Sequence, residues 1–91
     1  MSRIFSTNVF VRGHMAFYDV STSNQDVYHL SLKICKLEKD PPPTFIRIQQ
    51  SGGKWMSLDT IPDQYHFIIK EIGQRIAKAQ YSNFLAWYIL L

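Results

Sequence analysis

Apolar and polar positions alternate in twos over the first two thirds of the chain and change to a three-and-four spacing after Thr60, a pattern that predicts sheet followed by helix. Val27 to Leu37 alternates most clearly. Tyr28, Leu30, Leu32 and Ile34 fall on one side, and His29, Ser31, Lys33 and Cys35 on the other. Thr44 to Gln50 repeats this, with Ile46 and Ile48 opposed by Phe45, Arg47 and Gln49. Lys54 to Leu58 predicts a short last strand that turns Met56 and Leu58 to the apolar side and Trp55 and Ser57 away from it. Ile4 to Val11 and Met15 to Val20 read as two earlier strands. From Thr60 to Gln80, Ile61, Tyr65, Ile68, Ile69, Ile72 and Ile76 form a single stripe, with Thr60 as N-cap and Asp63 completing a capping box. Gly73 weakens the middle of that helix by roughly 1 kcal/mol relative to alanine.

Between these segments lie turn formers. Arg12-Gly13-His14 predicts a tight turn, Ser21 to Asp26 a polar loop, Ser51-Gly52-Gly53 a hairpin turn, and the triple proline after Asp40 an exposed connection. Short connections favour antiparallel neighbours. The expected fold is therefore α+β: an antiparallel β-meander of four to five strands (4–58), one long amphipathic C-terminal helix (60–80) and an apolar tail (81–91), all in one domain. The helix stripe would seat on the face carrying Tyr28, Leu30, Leu32, Ile34, Ile46, Ile48, Met56 and Leu58. The opposite face would carry His29, Lys33, Cys35, Phe45, Arg47, Gln49 and Trp55, with either Phe17 or Tyr18 as a further ring.

Composition adds limits. The 91 residues carry a net charge of +3, and six Phe, five Tyr and two Trp are more rings than so small a core requires. Mild basicity permits a polyanionic partner without demanding one. A lone cysteine, Cys35, excludes an intrachain disulfide and points to a reducing compartment. The longest apolar run, Phe84 to Leu91, is far shorter than the roughly 20 residues of a membrane-spanning helix. With no signal-like segment at the start, the expectation is a soluble intracellular protein, nuclear or cytoplasmic.

Candidate chemistry concentrates on the open sheet face. Single-stranded nucleic acid needs rings for base stacking and cations for phosphates on one surface. Lys33, Phe45, Arg47 and Trp55 meet that condition if the strand phases hold. The competing expectation is a protein-interaction or assembly module in which the same rings and the apolar tail bury against another protein. His14, His29, His66 and Cys35 lack metal-ligand spacing. Ser57 near Asp59 reads as turn chemistry, and Gly52-Gly53-Lys54 lacks the rest of a phosphate-binding loop. Neither an enzyme nor a cofactor is expected.

Two stretches resemble a known family. Arg12-Gly13-His14-Met15-Ala16-Phe17-Tyr18-Asp19-Val20 followed by Val27-Tyr28-His29-Leu30-Ser31-Leu32-Lys33, and later Gly53 to Tyr65 leading into the helix, are similar to the single-strand-binding transcriptional coactivators of the positive-cofactor-four type and to the related PUR family of purine-rich-element binders. The likeness spans about residues 9 to 78. It implies a ββββα unit that dimerises through its helices and binds single-stranded DNA or RNA on curved sheets, in transcription, replication or RNA handling. On that likeness Lys33, Arg47, Lys54 and Trp55 match basic and stacking positions. The tail has no counterpart in it. Dimerisation through helix and tail would place Tyr65, Phe67, Ile69, Phe84 and Trp87 in a homodimer interface, with the tail also able to dock on a protein partner.

Overall fold

The computed structural model describes the backbone of residues 2–90 and the side chains of residues 4–79. Five antiparallel strands, β1 (Ser2–Val11), β2 (His14–Thr22), β3 (Val27–Cys35), β4 (Phe45–Ser51) and β5 (Lys54–Ser57), pair in sequence order. A short 3-10 turn (Asp63–Tyr65) leads into helix α1 (His66–Leu90). The α+β meander followed by one C-terminal helix is as expected.

The meander follows from its turns. Val11 pairs with His14 across Arg12-Gly13, and Ser51 with Lys54 across Gly52-Gly53. All four turn residues have positive φ, which fits the right-handed twist of a two-residue hairpin. His14 therefore belongs to β2, and the β4–β5 turn is one residue shorter than expected.

α1 covers one face of the sheet. Ile68, Ile69, Ile72 and Ile76 are buried with Tyr65 and Ile61 against Val9, Val11, Ala16, Tyr18, Val20, Tyr28, Leu30, Ile46 and Ile48. At about 25 cal/mol per Å2 of apolar area removed from water, this two-layer burial is the main favourable contribution to folding.

The start of the helix differs from expectation. Thr60 does not cap it; Pro62 precedes the 3-10 turn, no side chain caps it, and the Tyr65 N–H donates to the Pro62 carbonyl at 2.9 Å. Proline cannot offer a capping hydroxyl, and the tighter turn satisfies the first free groups instead. At the other end the helical backbone continues to Leu90, so the segment expected as a separate tail (81–91) extends the helix.

Two strand phases also differ. A bulge between the Phe17↔Ile34 and Tyr18↔Leu32 pairs turns Ile34 outward and Cys35 inward. In β5, Trp55 pairs with Gln50 and so shares the inner side with Ile46 and Ile48, while Met56 pairs with Gln49 and stands outside. The expected β5 phase is inverted.

The Pro41-Pro42-Pro43 loop is held down rather than free. Pro42 is buried, and the Pro43 carbonyl accepts the Tyr18 hydroxyl at 2.7 Å. The Arg12 guanidinium, from the β1–β2 turn, donates to the carbonyls of Lys39 (3.2 Å) and Asp40 and to the Tyr65 hydroxyl (3.0 Å). The Tyr65 hydroxyl in turn donates to the Asp40 carbonyl.

Candidate functional site

The uncovered face of the sheet is built by alternation from strands whose other side chains form the core. Phe10, Met15, Phe17, Ile34, Phe45 and Met56 all stand on it, from 38% exposed at Phe17 to 62% at Phe10. Register groups them. Phe10 faces Met15 across β1–β2, and Phe17 faces Ile34 across β2–β3. Met15 and Phe17 are same-side neighbours on β2, so these four make one apolar corner.

Across the sheet the face becomes mixed. Ser31 pairs with Phe45, and His29 pairs with Arg47. The His29 and Phe45 rings lie 5.6 Å apart and tilted at 45°, and the buried Nδ1 of His29 has no hydrogen-bond partner.

The cations of this face are matched by carboxylates. Arg47 grips Asp59 with Nη2 to Oδ1 at 2.7 Å and Nε to the same oxygen at 3.2 Å, and its backbone N–H donates to Oδ2 at 2.9 Å. This hydrogen bonding from the Arg47 side chain, then from its backbone, holds the Asp59 carboxyl below the usual carboxylate range and raises the guanidinium. Ser57 Oγ accepts from the Asp59 N–H and donates to the Asp59 carbonyl, which is the turn chemistry expected of that pair. Lys33 Nζ lies 4.0 Å from Asp19 Oδ2, and Ser6 Oγ donates to Asp19 Oδ1 at 2.5 Å.

Of the residues expected to bind nucleic acid, Lys33, Phe45 and Arg47 do share the open face. Trp55 does not. Its ring meets Tyr28 edge-on at 5.7 Å between centroids and sits against Gly73 of α1, so it is a core-side residue. Lys54 stands exposed at the hairpin end of β5. The condition that Lys33, Arg47 and Trp55 occupy one surface therefore fails at Trp55.

The expected dimer contacts divide as well. Tyr65 and Ile69 are buried within this subunit's own core and cannot meet a partner there. Phe67 is exposed on the outer side of α1. Phe84 and Trp87 lie outside the described side chains. Of the Phe17 and Tyr18 alternative, Phe17 is on the open face and Tyr18 is buried; the expectations missed Phe10 and Met15, whose strand-pairing signal was the Arg12-Gly13 turn, and Ile34, which the bulge moved.

Among the described residues there is no cluster of three or more His, Cys, Asp or Glu able to hold a metal, and no helix long and apolar enough to cross a membrane. No protein-family model matches the chain, and neither a curated protein nor a solved structure is significantly similar to it. The likeness to the coactivator and PUR families thus rests on the motifs quoted above.

Proposed function

We propose that this chain is a non-enzymatic assembly module whose open sheet face binds a second copy of itself. One observation carries this: the face is apolar at six positions while its cations are already neutralised in place. At roughly 200 Å2 per large side chain, Phe10, Met15, Phe17 and Ile34 expose on the order of 400 Å2 together, in the range where exposed patches serve as interfaces. Lys33 and Arg47 offset Asp19 and Asp59, so two such faces meet without net like charge. A polyanion gains little from the same balance.

The test is oligomeric size by sedimentation, for the parent chain and for a Phe10→Ser, Phe17→Ser variant checked for folding by circular dichroism. The parent should be dimeric at micromolar concentration and the variant monomeric. A parent that stays monomeric, or a folded variant that stays dimeric, overturns the proposal.

A second function, single-stranded DNA or RNA binding with a role in transcription, replication or RNA handling, keeps one observation in its favour. The Phe45 ring lies beside His29 with Arg47 in the adjacent row, which is a stacking surface next to a cation. A gel shift with labelled single-stranded oligonucleotides at low and high salt decides it. Salt-sensitive binding that Phe45→Ala weakens would support nucleic acid, and absence of binding at low salt would leave the protein interface alone.

A further inference from the structure

The two free edges of the sheet are treated differently. β1 is bulged between Arg3 and Phe5. Its hairpin register turns the backbone groups of Asn8 away from β2 toward the free edge, where Arg75 of α1 donates to the Asn8 carbonyl and, at 2.7 Å, to Thr7 Oγ1. Bulges and reaching cations are how sheets blunt an edge against further pairing.

β5 has no such plug among the described residues. Ser51 and Lys54 close the hairpin, Met56 faces Gln49, and the Leu58 N–H donates to the Arg47 carbonyl at 2.8 Å. Met56 and Leu58 thus direct their backbone groups at β4, and Trp55 and Ser57 direct theirs outward, since the two sets alternate along an antiparallel strand.

Beside that outward row runs a groove between β5 and α1. It comprises two cavities of about 590 and 540 Å3 that share Trp55 and Lys70. Trp55, Ile61, Ile69 and Ala77 supply apolar wall. Lys54 stands at the hairpin end, Lys70 where the two cavities meet, and Asp59 and Asp63 at the far end. Both lysines are exposed, and neither is ion-paired among the described residues.

We propose that this groove takes an extended segment of another protein, which joins the sheet as a sixth strand antiparallel to β5 and places carboxylates at its C-terminal end against Lys54 and Lys70. Only an extended chain can satisfy the outward N–H and C=O groups of Trp55 and Ser57 in one register. Antiparallel addition sets the incoming C-terminal end beside Lys54, which makes the lysine pair a selector for acidic residues there. The surface is distinct from the open sheet face, so this inference stands or falls apart from the self-association proposed above.

The probe is a short fluorescein-labelled peptide of alternating threonine and valine ending in two glutamates, titrated with the full chain and read by anisotropy. Saturable binding is expected, weakened roughly tenfold by Lys54→Glu with Lys70→Glu, two exposed substitutions that leave the fold intact. A peptide N-methylated at alternate residues should lose binding, and the Phe10→Ser, Phe17→Ser variant should retain it. Absence of saturable binding, equal binding of a peptide ending in two lysines, or undiminished binding of the N-methylated peptide overturns the proposal.

Discussion

Trp55 lies on Gly73: a Cβ added to that glycine would stand 2.6 Å from Trp55 Cδ2 and nearer still to Cγ and Cδ1. The glycine that weakens the helix locally is the one that lets an indole reach its backbone. Gly73→Ala gains about 1 kcal/mol of helix propensity and loses more to overpacking, typically 1–3 kcal/mol. Net destabilisation of up to about 2 kcal/mol is expected in urea unfolding. In a Trp55→Ala background the same substitution should become stabilising, and that change of sign in a double-mutant cycle is the check.

The Trp55 phase also shows what the sequence makes legible. The helix stripe from Ile61 to Ile76, the alternation in β4 and that of β3 as far as Leu32 read correctly, because each repeats its period several times. β5 has only four residues, and both of its phases offer an apolar side chain, Trp55 in one and Met56 in the other. Turn length decides between them. A two-residue Gly52-Gly53 turn places Trp55 beside Gln50, on the side of Ile48, whereas counting Ser51 into the turn reverses the assignment. The Ile34 bulge left no comparable mark, since alternation continued through it on paper. The open face could therefore be located from sequence, but its occupants were wrong wherever a strand was short or irregular.

Acid should release the Arg47–Asp59 clasp. Asp59 is ionised more readily in the folded chain than in the unfolded one, so its contribution is present above the ordinary carboxylate value and is lost as pH falls through the lower folded value. Stability measured by urea unfolding should decline between about pH 5 and pH 2. Asp59→Asn should be less stable than the parent near neutrality and should show a shallower decline. Equal slopes would remove Asp59 from the acid response.

The opposite sign holds at Tyr18. Burial, then the neighbouring Cys35 and Tyr65, push its phenol well above the ordinary value near 10. The unfolded chain therefore gives up this proton first, and stability that is complete below about pH 10 should fall as pH rises further. Tyr18→Phe should cost about 1–2 kcal/mol at neutral pH, because it strands the Pro43 carbonyl. It should also flatten the alkaline decline, which thermal unfolding across that range would reveal.

Removing the plug on β1 should make the chain sticky without greatly weakening it. Arg75→Ala frees the Asn8 carbonyl and uncovers the edge of a ten-residue strand. A stability change within about 1 kcal/mol, together with faster concentration-dependent light scattering, is the expected pair of results. Unchanged scattering would mean that the bulge alone protects this edge.

The Arg12 latch bears on the order in which the molecule assembles. Hairpins β1–β2 and β4–β5 join residues close in sequence, so each can zip early at little entropic cost. Arg12 and Tyr65 are 53 residues apart, and the oxygens that Arg12 grips are in place only once the proline loop and the helix have both arrived. The guanidinium thus acts as a closing clasp rather than a seed: it should slow the native chain's opening while leaving the speed of its collapse nearly untouched.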